Sequence, residues 1–368
     1  MGFKFYAMVK FGSTLTLNGQ LYHQDKLIDY CLSRKFRKDI PEWEREIYFF
    51  ILEWISEEEF VVIQTSGSTG IPKVIHQPKE RMVNSARMTA DYFGLNSETN
   101  ALLCLPVSYI AGKMMVVRAF VTGMNLIIAE PSSNPFSQIN ERIDFAAITP
   151  FQLVRSLALL NTGRIGSVIV GGGEIPYDLE RRCQGVTSKI YATYGMTETS
   201  SHIAIRAVNG TQKSLFYEAL GGVTISVDER SCLIITAPHL TSELLRTNDV
   251  VSIIDESHFE WIGRIDSVIN TGGVKIFPEQ VEKKLFPLIS FRFFIAALPD
   301  DLLGEKVTLF IEGEPFSSEN LRNLESSMAS QLTRFELPRK IVPISRFDLS
   351  DAGKILKKLI VSKYLKAQ

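Results

Sequence analysis

The chain has 368 residues, and its 40 Lys plus Arg balance 41 Asp plus Glu to a formal net charge of −1. That balance argues against a partner such as nucleic acid or an anionic membrane, where a basic excess supplies most of the affinity. With 45% hydrophobic and 22% charged residues the chain reads as a globular protein with a sizeable core, not as a disordered or low-complexity one. Its length fits two or three domains of roughly 150 residues. Cys31, Cys104, Cys183 and Cys232 are scattered, with no C-x-x-C pair and no histidine at metal spacing. They read as thiols of a reducing compartment. The N-terminus lacks the apolar run of a signal peptide, and the longest apolar stretch is broken by Arg118 and Gly123. The expectation is a cytoplasmic protein with no membrane insertion.

In chain order, Trp43, Ile47, Phe50, Ile51 and Trp54 recur at helical spacing behind Pro41, a residue suited to a helix start. FVVIQ at residues 60–64 predicts a buried strand, and residues 79–93 a helix closed by Gly94. The short apolar runs ALLCL, NLIIA, FAAIT, SVIV and KIYATY then alternate with helical stretches such as PFQLVRSLALL and PYDLERRC. This spacing predicts an α/β fold: βαβ units building a mainly parallel sheet flanked by helices. Beyond about residue 220, LGGVTISVD, CLIITA and VVSIIDESHFEWIG predict antiparallel strands. After Gly263 a compact series follows: strand VIN, helix PEQVEKKLF, strands FRFFIAALPD and EKVTLFIEG, helix SENLRNLESSMASQL, strand KIVPIS and a last helix from Lys354. The expected division is a large N-terminal domain, 1–263, and a small α+β domain, 264–368, joined by a short hinge at residues 263–266.

Four segments carry chemistry. Directly after FVVIQ, the run Thr65, Ser66, Gly67, Ser68, Thr69, Gly70, Ile71, Pro72, Lys73 sets four hydroxyls around two glycines and ends on a lysine. Converging backbone N–H groups, hydroxyl donors and one cation suit a polyphosphate. It is not a Walker A loop, because Pro72, not glycine, immediately precedes Lys73 and Val74 follows it; the plainer alternative is an exposed turn. At the end of KIYATY, Tyr194, Gly195, Met196, Thr197 and Glu198 offer an aromatic face, a hydroxyl and a carboxylate where an open parallel sheet places its ligand crevice. Glu198 could hold Mg²⁺, which favours oxygen ligands shared with phosphates. A third segment runs from Gly263, Arg264 and Asp266 to the pair Gly272-Gly273; the fourth is Gly353-Lys354. Alone, these last two would pass as a joining turn and a helix start.

In this order and spacing the four segments resemble the adenylate-forming superfamily of acyl-CoA ligases, luciferases and peptide-synthetase adenylation domains, over more than three-quarters of the chain. Within it, the short region before residue 65, the stretch LPVSYIAGKM and the TETSSH continuation are most similar to the short bacterial 2-succinylbenzoate–CoA ligases of menaquinone synthesis. The resemblance implies a ligase that joins a small carboxylic acid to coenzyme A through an acyl-adenylate, using ATP and Mg²⁺ and releasing AMP and diphosphate. It implies that Thr65, Ser66, Gly67, Ser68, Thr69, Gly70 and Lys73 embrace the ATP phosphates, and that Gly171, Gly172, Gly173 and Glu174 line the adenine. Tyr194 with Gly195 would cover the base, Thr197 would contact the α-phosphate, and Glu198 would ligate the metal. Asp249 would accept both ribose hydroxyls, and Arg264 would reach the same ribose. Asp266 matches a hinge, Lys354 a mobile catalytic lysine, and Gly272 and Gly273 the wall of a pantetheine tunnel. The acyl pocket would draw on Tyr109, Gly112, Lys113, Thr199, Ser200 and His202, the last being equally readable as a structural histidine at a helix. Asn248, Ser267, Val274, Lys275 and Tyr109 depart from the usual family residues. Other acid specificities, loading of a carrier protein and a catalytically silent nucleotide-binding protein stay open. A homodimer is compatible with the sequence, which does not specify an oligomeric state.

Overall fold

The computed structural model describes residues 13–64, 74–314, 316–349 and 355–368. The chain runs β1 (Thr14–Leu17), β2 (Gln20–His23), α1 (Gln24–Leu32), α2 (Glu42–Ile55), β3 (Phe60–Gln64), β4 (Val74–Pro78), α3 (Lys79–Phe93), β5 (Asn100–Leu103), α4 (Ile110–Thr122), β6 (Asn125–Ile128), β7 (Ile143–Ile148), α5 (Pro150–Leu160), β8 (Ile165–Val170), α6 (Tyr177–Cys183) and β9 (Lys189–Gly195). It continues through β10 (His202–Ala207), β11 (Tyr217–Ala219), β12 (Thr224–Val227), β13 (Cys232–Thr236), β14 (Leu245–Ile253) and β15 (His258–Arg264). The remaining elements are β16 (Ile269–Thr271), β17 (Val274–Ile276), α7 (Pro278–Leu285), β18 (Phe293–Asp300), β19 (Gly304–Glu312), α8 (Ser318–Gln331), β20 (Lys340–Ile344) and α9 (Lys357–Lys366).

A 13-stranded sheet, in the order β12-β13-β14-β15-β11-β10-β9-β8-β7-β5-β6-β1-β2, organises the larger part. Between β1 and β9 every adjacent pair is parallel, and from β9 onward every pair is antiparallel. The mainly parallel α/β reading therefore holds for the first half, and β1–β2 extend its edge. Strand alternation divides the core in two. Ala101, Leu103, Phe145, Ile169 and Tyr191 face a layer containing Trp54, Met82 and Met115 of α2, α3 and α4. Leu102, Ala146, Val168, Val170 and Ile190 face Leu153, Leu160 and Leu179 of α5 and α6. Local sequence sets several element ends. Gly94 closes α3 at φ +67° and Gly123 closes α4 at φ +74°, backbone conformations that glycine adopts without a Cβ penalty. Thr149 and Gln152 make a reciprocal capping box at the start of α5.

FVVIQ is a strand but only half buried. It pairs with β4 alone, in a two-stranded antiparallel ribbon apart from the large sheet, so Val61 and Ile63 are covered while Phe60 and Val62 are each 46% exposed. Gln64 and Val74 are paired across the ribbon, so residues 65–73 connect two neighbouring strand ends. A second, five-stranded sheet of β16–β20 begins five residues after β15 ends. One of its faces packs Ile295, Leu309 and Ile311 against Val281 and Leu285 of α7 and Met328 of α8. Its other face packs Phe294 and Phe310 against Ile360 of α9. The last helix starts at Lys357; Lys354 lies outside the described residues. Among the described residues, no helix is long and apolar enough to cross a membrane.

Candidate functional site

The sheet changes from parallel to antiparallel at β9, and the carboxyl ends of β8 and β9 open there side by side. An open α/β sheet collects ligands at such a switch point. Gly171, Gly172, Gly173 and Glu174 leave β8 here, and Met196 to Glu198 leave β9. Gly172 has φ +80°, and a Cβ on Gly171 would sit 2.8 Å from the Thr193 hydroxyl. These two positions require glycine, one for its backbone angle and the other for the close approach of the neighbouring strand. Gly195 is more constrained: a Cβ there would lie 2.4 Å from the Ser201 carbonyl oxygen and 2.5 Å from the Cα of His202. The turn that follows β9 is thus pressed against the start of β10. Glu198 is exposed in a short 3₁₀ turn at residues 197–199, beside the half-buried Thr197.

Asp249 comes to this edge from the far half of the sheet. Strands β15, β11 and β10 separate β14 from β9, a flat-sheet distance of about 19 Å at ~4.8 Å per strand. Yet the Tyr194 hydroxyl donates to Asp249 Oδ2 at 2.7 Å, so the antiparallel half must curl over the end of β9. The Tyr194 ring packs edge-on against Phe259 (5.4 Å between centroids) and Tyr217 (6.0 Å). Burial, then the Asp249 carboxylate, raise the Tyr194 phenol above its ordinary range, keeping it a donor. Trp261 Nε1 donates to Asp249 Oδ1 at 3.2 Å, and Arg264, paired with Asp249 across β14 and β15, places a guanidinium nitrogen 3.7 Å from the same oxygen. Arg264 also donates to Asp266 at 2.8 Å, which Asn248 contacts as well. This ion pair holds the Asp266 carboxyl below its usual value and the guanidinium above its own.

The smaller sheet meets this edge through α7. Ser267 donates to Glu279 at 2.8 Å, and Gln280 donates to the Ile262 carbonyl at 3.0 Å. Gly263 lies close under the Glu279 side chain, where a Cβ would come within 2.6 Å of the carboxylate. Glu282 pairs with Lys357 at 2.7 Å. Glu174 keeps an exposed face yet is hemmed in by protein near Glu282 and Glu279. Desolvation, then those carboxylates, push it up to about 7. The folded state then holds a proton that the unfolded chain has shed. The resulting stabilisation is complete below the ordinary value near 4.5 and is lost as pH rises through about 7. Glu174→Gln is expected to flatten the fall in thermal midpoint between pH 5 and 7; an unchanged slope would remove Glu174 from that role. Gly272 and Gly273, at φ +58° and +83°, form the two-residue turn between β16 and β17, where positive φ at both positions matches the strand twist.

Behind the 197–201 turn lies a buried polar group that the sequence motifs do not announce. Arg118, on α4, is 2% exposed, donates to Ser201 Oγ at 2.8 Å and lies 3.6 Å from Met115 sulfur. Its Nε has no hydrogen-bond partner, and no carboxylate pairs with it among the described residues. Burial lowers it to about 10, so it stays a cation at neutral pH. His202 is on β10, not at a helix. It is buried against Thr89 (3.2 Å) and Ser201 (3.2 Å), and burial followed by Arg118 holds it well below 6.5, hence neutral. Ser200 adopts φ +64° and accepts from Gln77 of β4 at 2.5 Å, tying the β3–β4 ribbon to the turn after β9.

Of the residues singled out from sequence, the structure brings Gly171–Glu174, Tyr194, Gly195, Thr197, Glu198, Asp249, Arg264 and Asp266 around one edge. Tyr109 is 57% exposed at the start of α4, and Gly112 is packed against the Pro106 carbonyl. Lys113 turns toward α2, 3.4 Å from Glu53 and over the Phe50 ring. Thr199 is buried, its hydroxyl bound to the Met196 and Ser201 carbonyls. Gly272 and Gly273 belong to the smaller sheet. Thr65, Ser66, Gly67, Ser68, Thr69, Gly70, Lys73 and Lys354 lie outside the described residues. Arg118 was legible only as a lone charge inside the apolar run MMVVRAFV; Trp261 carried no signal.

The family model for AMP-binding enzymes matches residues 32–227. A 2-succinylbenzoate–CoA ligase of Lactococcus lactis is 24% identical over 322 residues, 82% of this chain and 70% of that protein. One from Bacillus cereus is 24% identical over 87% of this chain and 75% of its own length. The crystal structure of an acyl-CoA synthetase (AMP-forming)/AMP-acid ligase II-like protein from Dyadobacter fermentans is 34% identical, with a TM-score of 0.59 over 90% of this chain and 97% of that one. The fold is also that of an O-succinylbenzoate coenzyme A synthetase from Bacillus subtilis solved with ATP and magnesium, at a TM-score of 0.68, 20% identity, 81% of this chain and 68% of that one. The family model spans the glycine-lined switch point and the Tyr-Gly-Met-Thr-Glu turn, and the 34% identical relative covers 90% of this chain, so this chain belongs to the AMP-binding enzyme family.

Proposed function

We propose that the chain is an ATP-dependent acid–CoA ligase that converts 2-succinylbenzoate, ATP and coenzyme A to succinylbenzoyl-CoA, AMP and diphosphate. Its class is that of the AMP-forming acid–CoA ligases, as its family and its relatives' activities support. The nucleotide would lie over the ends of β8 and β9, its base against Tyr194, its ribose on Asp249 and Arg264, and its phosphates toward Thr197 and residues 65–73. Glu198 and Thr197 are hard oxygen donors facing solvent, which fits Mg²⁺ arriving with the phosphates. Among the described residues no three His, Cys, Asp or Glu side chains converge into a metal cage of their own. Bound there, the ion would offset charge on the phosphates.

The acid carboxylate attacks the α-phosphorus in line, diphosphate leaves, and the coenzyme A thiol then displaces AMP from the acyl-adenylate. In this reading residues 264–368 form a small mobile domain hinged at Asp266. It supplies Lys354 for the first step and the Gly272-Gly273 turn for the second. The observation that carries the choice of acid is Arg118. It is a buried cation with no carboxylate partner among the described residues, held by the serine three positions after Glu198. Removing a guanidinium from water without a counter-charge is costly. An aromatic acid with two carboxylates presents one to the α-phosphorus and has a second to pair with Arg118. The test is diphosphate release over a panel of acids, followed by thioester formation with free coenzyme A. 2-Succinylbenzoate should give the highest kcat/KM, about a hundredfold above benzoate or a fatty acid. Preference for a monocarboxylic acid would remove this specificity, and adenylation without thioester would point to a carrier-bound thiol.

A further inference from the structure

We infer that Trp261 is a positioning residue for nucleotide recognition: its indole N–H and the Tyr194 hydroxyl together fix the plane of the Asp249 carboxylate so that its remaining lone pairs meet a vicinal diol. The inference rests on the reading of Asp249 as the ribose acceptor and extends it to a residue that no motif marks. A carboxylate has about four lone-pair directions. Here Tyr194 occupies one on Oδ2 at 2.7 Å and Trp261 one on Oδ1 at 3.2 Å, leaving one on each oxygen. Two acceptors at fixed separation are what neighbouring 2′- and 3′-hydroxyls require. With a single donor the carboxylate could turn about its Cβ–Cγ bond and offer the two oxygens unequally. Arg264, at 3.7 Å and turned to Asp266 at 2.8 Å, is too distant to set that plane.

The two donors are themselves held. Trp261 is on β15, whose Ile262 carbonyl accepts from Gln280 of α7 at 3.0 Å, and Tyr194 is wedged against Phe259 and Tyr217. Phe259 and Trp261 share one strand, so the base-covering ring and the carboxylate clamp are set by the same few residues.

The experiment measures equilibrium binding of AMP, 2′-deoxy-AMP and 3′-deoxy-AMP to the full chain, which needs no knowledge of the acid. Trp261→Phe removes the N–H and keeps a ring. It is expected to weaken AMP by about five- to tenfold, the worth of one well-placed hydrogen bond, while changing 2′-deoxy-AMP less than about twofold. Preference for the full ribose then collapses. Because each preference is a ratio on one sample, partial unfolding does not move it. Should Trp261→Phe fail to fold, benzothienylalanine at 261, of indole shape but without the N–H, gives the same readout. Equal weakening of all three ligands, or an unchanged ratio, overturns the positioning role. Asp249→Asn is the companion measurement. If it abolishes the preference and Trp261→Phe does not, only this inference falls. If it too leaves the preference intact, the ribose reading falls and the positioning role with it.

Discussion

Arg118→Met is expected to lower kcat/KM for 2-succinylbenzoate by about a hundredfold or more while leaving the thermal midpoint unchanged or higher. The two halves of this result come from opposite energies. A buried charge-assisted pair with a substrate carboxylate is worth roughly 3–5 kcal/mol when one partner is removed, which is about two to four orders of magnitude in rate. In the free protein, however, Arg118 is a desolvated cation with an unpartnered Nε, and methionine fills a similar volume with no charge to bury. Its other neighbours are a serine hydroxyl and a methionine sulfur, so little is lost internally. A monocarboxylic acid should lose far less activity than the dicarboxylic one. A fall in midpoint of several degrees, with both acids affected alike, would make Arg118 a structural residue and remove the main support for the dicarboxylic substrate.

Gly195→Ala should be among the most damaging single methyls in the described chain: about 3 kcal/mol or more of stability and about a hundredfold or more in nucleotide affinity. The added carbon meets backbone on the facing strand, at 2.4 Å from the Ser201 oxygen and 2.5 Å from the His202 Cα, and backbone cannot step aside as a side-chain tip can. Relief requires moving the start of β10 away from β9, and with it the Thr197–Ser201 turn, the Gln77–Ser200 bond and Arg118. Gly185→Ala, where nothing lies within 4 Å, is the control and should change stability by less than about 0.5 kcal/mol. Urea unfolding and AMP binding of the two variants decide the matter. Similar behaviour of both would mean that the β9–β10 contact is looser than its geometry implies.

Much of this protein was legible from its residues in order. The helical stretches read around residues 79–93 and in PFQLVRSLALL match α3 and α5, whose ends are set by local backbone chemistry at Gly94, Pro150 and the Thr149 capping box. The Tyr-Gly-Met-Thr-Glu turn and the Arg264–Asp266 pair were readable because each sets distinctive residue types at short spacing. Short strands with few residues of their own, such as β1, β2, β4, β11 and β17, carried no such signal, since pairing partners far along the chain decide them. The same holds for the half-exposed ribbon, whose apolar letters look alike whether one face or both are covered.

Sequence by itself determined the family and set hydroxyl, aromatic and carboxylate residues into short motifs, since motif spacing is a local property. Tertiary structure alone decided that β14 curls over β9, so that Asp249 reaches Tyr194 and Trp261. It also decided that the one arginine of an apolar helix, Arg118, packs against the Thr197–Ser201 turn with no carboxylate partner among the described residues. Both depend on sheet curvature and on what surrounds a buried charge, and these arise only when segments a hundred residues apart are packed together.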